Sequence, residues 1–383
     1  MPDGVVYLDH HSTTPCDPRV VDRMLPYFSG VFGNPAALAH PHGNEAARAV
    51  EQSRHSIASY FHVSPREVIF TSGATEANNL AISGFAAAHP GSHHVVTVGI
   101  EHRSALEPCQ MLAARGWNVT VLNPDPEGFV SPELLLSALK KETALVSIGI
   151  ANPDVGTIQP WRDLAALLAD RGIAFHTDAT QAVGKVDVVT DGPSWSSLSL
   201  SGHKFYGPKG IGALILRSGT HLEPIEFGGG QERGLRSGTI NVPAVVGLAA
   251  ALEIRQQEMD SEARMLAELR DELLARLESA FPGLILHGPR SSRLPGNLNV
   301  SFPAVTSEDL IETVRGFSLS SGSACSTGTR GASPVLTSMG VSEHVAMSSI
   351  RFGLGKMNDR SQLEPLVKEL QRAVSRLQEI SVG

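Results

Sequence analysis

The chain has 383 residues, of which 42% are hydrophobic and 18% charged, and its formal net charge is -8 at neutral pH. This composition is typical of a globular protein with a sizeable core and excludes a disordered or fibrous chain, while the length favours two globular units. The negative charge offers no general attraction to nucleic acid or anionic lipid, so we expect neither partner.

Targeting signals, disulfides and metal sites are not expected. The longest apolar stretch, around Val245–Ile254, is too short to cross a bilayer, and the start MPDGVVYLDH lacks the order of a signal peptide. Cys16, Cys109 and Cys325 form no CxxC pair, which argues against a disulfide framework or structural zinc. We therefore expect a cytoplasmic protein without a metal.

Short apolar segments alternate with segments of helical periodicity through the first two thirds of the chain. This order predicts an α/β fold with a mostly parallel sheet. Crossover helices are expected over Ala46–Phe61 and Leu164–Asp170. The predicted strands are Glu67–Thr71, His94–Ile100, Val119–Leu122, Ala144–Ile150, Ile173–Asp178, Ser197–Leu200 and Gly212–Arg217.

The last third predicts a smaller α+β domain. A long helix over Val245–Ala280 leads into it, strands are expected over Asn297–Phe302 and Ser348–Gly353, and a final helix carries an apolar stripe from Leu363 to Leu377. We place the large domain at residues 15–255 and the small domain at 256–383, completed by residues 1–14.

A candidate phosphate site follows the first long strand. The sequence SGATEANN places a turn at Gly73 before a helix, so free backbone N–H groups converge beside the Thr75 hydroxyl. A tight turn that binds nothing is the alternative. No GxGxxG opens a helix and no GxxxxGK with Ser or Thr occurs, which disfavours dinucleotide and P-loop sites.

Two further candidates each follow a strand. Asp178 ends a strand in GIAFHTDATQAVGK, where its carboxylate suits a cationic ring nitrogen, although it could equally cap a helix ahead of Gln181. Lys204 in LSLSGHKFYGPKG is a candidate Schiff-base amine, against the alternative of a solvated lysine. A phosphate cup, a strand-end Asp and a strand-end Lys together are what pyridoxal 5'-phosphate needs from a protein.

The order of these three candidate sites in the chain resembles that of the fold-type I PLP enzymes of the class-V aminotransferase family. Within this family, the chain is similar to the cysteine desulfurases of the NifS/IscS type. The resemblance extends from Tyr7 to about Leu377. The motifs that carry it are YLDHHSTTPCDPRV, FGNPAALAHPHG, FTSGATEANNLAI, EHRSALEPC, HTDATQAVGK, SGHKFYGPKGIGAL, GGGQERGLRSGT, LNVSF, SSGSACS and SSIRFGLGK.

The resemblance implies how the cofactor is held. Lys204 would bind it covalently and shuttle a proton, Asp178 would partner the pyridine nitrogen, His102 would stack on the ring, and Gln181 would bond the phenolic oxygen. Thr239 would reach the phosphate of a second subunit, which implies a homodimer. The other phosphate-binding residues implied are Ala74, Thr75, Ser201 and His203.

The resemblance also implies the reaction. Arg351 would clamp the substrate carboxylate, assisted by Asn34 and Asn152. Cys325, in the loop SSGSACSTGTRGAS, would remove sulfur from L-cysteine as a persulfide and leave L-alanine, although an inert buried thiol is the alternative for any cysteine. Cys109 is expected to be a packing residue.

Two alternative functions are open, and the sequence departs from the family pattern at three places. Another class-V enzyme, such as an aminotransferase or a selenocysteine lyase, would use the same Lys204. A non-catalytic scaffold would keep the fold without using Lys204 for chemistry. Residues 152–156 read NPDVG where relatives usually read NNEIG, the segment after Cys325 reads TRGASPV, and the chain stops soon after its last predicted helix. The sulfur acceptor is therefore open among iron-sulfur cluster assembly, tRNA thiolation and DNA phosphorothioation.

Overall fold

The computed structural model describes residues 4–91, 93–189, 195–303, 305–321 and 331–382. Its strands are β1 (Val6–Tyr7), β2 (Val68–Thr71), β3 (His94–Val98), β4 (Asn118–Leu122), β5 (Thr143–Ser147), β6 (Ala174–Asp178), β7 (Ser197–Ser201), β8 (Gly212–Leu216), β9 (Ile285–Leu286), β10 (Asn297–Ser301), β11 (Phe317–Ser318), β12 (Ser320–Ser321) and β13 (Ser349–Gly353). Its α-helices are α1 (Pro18–Met24), α2 (Pro26–Ser29), α3 (Pro41–Tyr60), α4 (Ala74–Asn79), α5 (Phe85–Ala88), α6 (Arg103–Ala113), α7 (Pro132–Ala138), α8 (Trp161–Ala169), α9 (Val242–Ala280), α10 (Ser307–Thr313), α11 (Pro334–Ser338), α12 (Glu343–Ala346) and α13 (Leu363–Val382).

A seven-stranded sheet with the order β2-β8-β7-β6-β5-β3-β4 forms the centre of the larger part of the molecule. All strands of this sheet run in the same direction except β8, which runs in the opposite direction. The predicted α/β fold with a mostly parallel sheet is therefore confirmed. Most of these strands are buried along their length, which explains why they read as short apolar runs. The segments that follow the parallel strands meet at one edge of the sheet.

The first long helix, α3, begins earlier than the expected start at Ala46. Pro41 occupies its first turn, and the imidazole Nδ1 of His40 accepts a hydrogen bond from the backbone N–H of Gly43 at 3.1 Å. A histidine cap followed by proline and glycine lacks apolar periodicity, so the sequence pattern placed the start too late. The strand predicted up to Ile100 similarly ends at Val98.

The 39-residue helix α9 contacts two hydrophobic cores. Its first half, around Leu248, packs into the core of the large sheet, and its second half, around Leu273, packs into a second core with β10, β13 and α13. Leu8 also belongs to this second core. The domain boundary at residue 255 stays a prediction, because α9 runs through it without interruption. None of the described helices is long and apolar enough to span a membrane.

Candidate active site

A cavity of about 680 Å³ lies where the strands of the large sheet end. It is bounded by residues that follow β2, β3, β5, β6 and β7, and by the N-terminal segment His11–Thr13. Strands from different parts of the chain thus deliver polar side chains to one place. The predicted site residues that line it are Ala74, Thr75, His102, Asn152, Asp178, Gln181, Ser201, His203 and Lys204.

One end of the cavity is suited to an anion. Helix α4 begins there, and with the π turn Leu80–Gly84 and α5 it forms one continuous helical segment from residue 74 to residue 88. A Cβ on Gly212 of β8 would lie 2.7 Å from the Cα of Gly73, so only glycine lets this helix start so close to the sheet. Free N–H groups and the positive end of the helix dipole therefore face the cavity beside the Thr75 hydroxyl.

His203 lies at the same end as a neutral imidazole. Burial, together with the positive charges of the neighbouring Lys204 and Lys209, lowers its pKa to about 4. Its Nδ1 lies 3.1 Å from the Thr13 hydroxyl. An uncharged ring that is held in this way can donate a hydrogen bond to an anion at neutral pH.

Asp178 is held by a partner that the sequence analysis did not identify. The amide of Asn78 donates to Asp178 Oδ2 at 2.7 Å, and the backbone N–H of Thr180 donates to Oδ1 at 2.8 Å. Asn78 is fully buried, and its amide oxygen lies 3.1 Å from Nε2 of His176. Asn78 stands three residues after Thr75 on one helix face, so the motif SGATEANN contained the signal.

The amine of Lys204 faces the N-terminal segment. This contact is with backbone carbonyls and could not be predicted from the sequence. Lys204 Nζ donates to the carbonyl oxygens of His11 and Ser12 at 2.8 and 2.7 Å. Gln181 Nε2 donates to the same His11 oxygen at 2.9 Å, while Gln181 Oε1 accepts from Lys185 Nζ at 2.8 Å. The amide nitrogen of Gln181 carries two N–H protons, and one of them is bonded to the His11 carbonyl. The second N–H is available to a group in the cavity.

His102 and its neighbour Glu101 form a third wall. His102 Nδ1 accepts from the backbone N–H of Ser104 at 3.1 Å, which caps α6 and leaves the exposed ring at the cavity. The carboxyl group of Glu101 accepts from the N–H of Gly149 at 2.9 Å, and burial raises its pKa to about 8, helped by the charge of Asp178. Glu101 is therefore an uncharged acid at neutral pH.

Three predicted site residues, Arg351, Asn34 and Thr239, do not line this cavity. Arg351 on β13 is fully buried, is absent from the cavity lining, and forms ion pairs with Asp9 and Asp154. Asn34 and Thr239 are exposed and together line a second cavity of about 550 Å³.

The structure describes two of the three cysteines, which differ in burial. Cys325 lies outside the described residues. Cys109 on α6 is fully buried, as expected for a packing residue, and Cys16 is partly buried. Burial raises the pKa of the Cys109 thiol to about 12 and also raises that of Cys16.

The described residues thus bring together an anion cup, a carboxylate, and a lysine amine around one space. These groups fit a planar, phosphate-bearing aromatic aldehyde: the helix start would hold the phosphate, Asp178 would hold a ring nitrogen, and Lys204 would hold the carbonyl group. No group of three or more metal-ligating side chains occurs within the part of the chain that the structure describes.

Comparison with known proteins agrees with this geometry. The family model described as aminotransferase class-V matches residues 6–366. The cysteine desulfurase IscS of Rickettsia bellii is 41% identical over 379 residues, which cover 98% of this chain and 92% of that protein. A solved NifS-like protein superposes with a TM-score of 0.91 at 34% identity, covering 97% of this chain and 99% of the other. A structure of SspA in complex with cysteine has a TM-score of 0.81 at 35% identity, covering 91% and 98%.

Proposed function

The chain belongs to the class-V aminotransferase family, and we propose that it is a cysteine desulfurase that takes sulfur from L-cysteine and leaves L-alanine. One observation carries the proposal: Lys204, Asp178 and the anion cup of α4 line a single cavity in a chain that is 41% identical to a desulfurase over almost its full length. The solved relative SspA, which binds cysteine, supports the same substrate.

We assign pyridoxal 5'-phosphate as the cofactor. When bound, it supplies an electron sink for bonds at the substrate's α-carbon. Asp178, kept in place by Asn78, stabilises a proton on the ring nitrogen, and Gln181 donates to the phenolic oxygen. The start of α4 with Ala74, Thr75, Ser201 and His203 binds the phosphate, and His102 covers the ring face.

Lys204 and Cys325 divide the chemistry between them. Lys204 would hold the cofactor through its aldehyde group and, as a free amine beside the substrate, would move the substrate's α-proton. The Cys325 thiolate attacks the substrate sulfur, so that an S–S bond forms while the C–S bond breaks. The electron pair of the C–S bond stays on carbon, which takes up a proton to become the methyl group of alanine, and Cys325 is oxidised to the persulfide.

A homodimer completes the proposal. Asn34 and Thr239, which the resemblance assigns to substrate and phosphate, lie away from this chain's own cavity, on an exposed face. Phe32 and Phe227 have 66% and 86% of their surface exposed, which is unusual for side chains of this size and typical of an interface. We infer that this face meets a second copy and that Thr239 reaches the partner's phosphate.

The outer sulfur of the persulfide passes to a thiol of an acceptor protein. Iron-sulfur cluster assembly, tRNA thiolation and DNA phosphorothioation remain the candidate pathways. We place the enzyme in the cytoplasm, where a reducing environment keeps thiols such as Cys16 and Cys109 free.

The test is a balance of products. Purified holoenzyme with L-cysteine and a thiol acceptor should yield L-alanine and sulfide in equal amounts. The variant Cys325→Ser should lose both while it still binds the cofactor. An aminotransferase would instead yield a 2-oxo acid and be indifferent to this change. A selenocysteine lyase would release alanine from selenocysteine but not from cysteine, and a scaffold would bind no cofactor.

A further inference from the structure

The guanidinium of Arg351 is enclosed by the chain itself. The residue has no exposed surface and does not line the 680 Å³ cavity, whereas its hydrogen-bond partner Ser12 does. Asn152 and Pro153, which precede its partner Asp154 in the chain, also line the cavity. If an amino-acid substrate binds Arg351 through its carboxylate, as the proposed function requires, some of this enclosure has to be exchanged for the substrate.

The terminal nitrogens of Arg351 already have acceptors. Nη1 donates to Asp154 Oδ1 at 2.9 Å. Nη2 has three acceptors for its two protons, namely Asp9 Oδ1 at 2.8 Å, Ser12 Oγ at 2.8 Å and Ser320 Oγ at 3.2 Å. A carboxylate that binds a guanidinium in the paired, fork-like arrangement needs one proton from each of two nitrogens. Both protons of Nη2 are already engaged, so this carboxylate competes directly with the Nη2 acceptors and has to share Nη1 with Asp154.

The charge balance makes the competition stronger. One guanidinium faces two carboxylates, so an arriving substrate carboxylate would be the third anion around one cation. Asp154 is the more deeply buried of the two, with 7% of its side chain exposed against 19% for Asp9. Repulsion between buried like charges is screened far less than at the surface.

Asp154 also belongs to a turn that borders the cavity. The side-chain oxygen of Asn152 accepts from the backbone N–H groups of Asp154 and Val155 at 2.8 and 3.0 Å. The carbonyl of Asp154 accepts from the amide of Asn299 at 3.1 Å. This turn therefore connects Asp154 to Asn152, which lines the cavity.

We propose that Asp154 is an internal competitor for the substrate carboxylate: it occupies Arg351 in the free enzyme, is displaced when substrate binds, and so sets the affinity for the amino acid. The inference rests on the proposed function. It differs from a purely supporting role in the sign of its effect. A residue that only orients Arg351 would strengthen substrate binding, whereas a competitor weakens it.

The test is the affinity of the holoenzyme for L-alanine, which carries the amine and carboxylate but has no sulfur to react, measured from the change in the cofactor's visible absorbance. Asp154→Asn keeps an acceptor oxygen near Nη1 and removes the charge. We expect its Kd for alanine to fall about tenfold, with the KM for cysteine falling in parallel and kcat not increasing. Asp154→Ser, a smaller neutral side chain, should shift the Kd in the same direction. Asp260→Asn, on the exposed surface of α9, removes the same charge elsewhere and should leave the Kd unchanged.

An unchanged or weaker affinity in both Asp154 variants, with the cofactor band intact, would overturn the inference alone. Absence of alanine binding to every protein, together with no alanine formed from cysteine, would overturn the proposed function and the inference with it.

Discussion

The amine of Lys204 lies 2.8 Å from the carbonyl oxygen of His11, although 193 residues separate them in the chain. The same oxygen accepts from Gln181 at 2.9 Å. The N-terminal segment therefore forms one wall of the candidate active site and anchors two of its residues. It does so through backbone carbonyls, which hold an amine by hydrogen bonds without forming an ion pair.

Replacing Lys204 should show whether this lysine, rather than another amine in the cavity, forms the covalent bond to the cofactor. Lys204→Ala should remove the visible band of the covalently bound cofactor, and borohydride should then no longer fix the cofactor to the chain, because the proposed bonding amine is gone. Lys209 lines the same cavity, so Lys209→Ala tests whether a nearby lysine suffices. In Lys209→Ala we expect the visible band to be present before reduction and the cofactor to be found on Lys204 after it, as measured by absorbance and by the mass of the reduced peptide. A trapped cofactor on Lys209 in the Lys204 variant would contradict the assignment.

Replacing the cysteines should identify the sulfur carrier. Cys325→Ser should abolish the persulfide, detected by alkylation and mass spectrometry. Cys109 is fully buried with its pKa raised to about 12, so it holds almost no thiolate at neutral pH. Cys16→Ser is the matched control and should form persulfide normally. Persulfide found on Cys16 or Cys109 of the wild-type protein would assign the role elsewhere.

Replacing Asn78 should loosen the cofactor. Asn78→Leu preserves size but removes the 2.7 Å hydrogen bond to Asp178 Oδ2 and the 2.9 Å bond to the Ser104 hydroxyl. A buried charged acceptor that loses its partner costs about 1–3 kcal/mol, so cofactor retention on dialysis should fall about tenfold or more. Thermal unfolding of the apoprotein checks that the variant folds. Retention equal to that of the wild type would show that Asp178 needs no such support.

Lys185 should make stability depend on pH. Burial, together with the positive charges of Lys204 and Arg351, lowers the pKa of its amine to about 7. Between about pH 7 and the unfolded value near 10.4, the unfolded chain binds one more proton than the folded chain, so this residue makes stability rise with pH by about 1.4 kcal/mol per unit. In Lys185→Met this rise should be missing from urea unfolding curves taken across the window. Identical slopes in both proteins would mean that the folded amine keeps its proton.

The buried ion pair between Arg54 and Glu232 should be important for stability. Arg54 Nη2 lies 2.7 Å from Glu232 Oε1, and 1% of the Glu232 side chain is exposed. Glu232→Ala leaves a buried cation and should cost about 3–5 kcal/mol in urea unfolding. Glu51 binds the Nε of the same arginine but is 57% exposed, so Glu51→Ala is the control and should cost about 1 kcal/mol or less. Equal losses in the two variants would contradict this ranking.

Much of the fold could be predicted from local patterns. The strands of the large sheet are short apolar runs because both faces of the sheet are covered, and residues such as Asp178 and Lys204 follow them directly. Element ends were less predictable. Helix α3 starts at Pro41 because His40 caps it, and this side-chain contact leaves no periodic signal in the sequence.

The candidate site divides in the same way. Local sequence shows which chemical groups follow which strands, and with a parallel sheet this already places Thr75, Asp178 and Lys204 at one edge. The hydrogen bonds from Lys204 to the carbonyl of His11 and from Asn78 to Asp178, and the ion pair between Asp154 and Arg351, arise only when the chain is folded. These contacts join segments that lie 100 residues or more apart, and they depend on side-chain direction and burial, which no local spacing encodes.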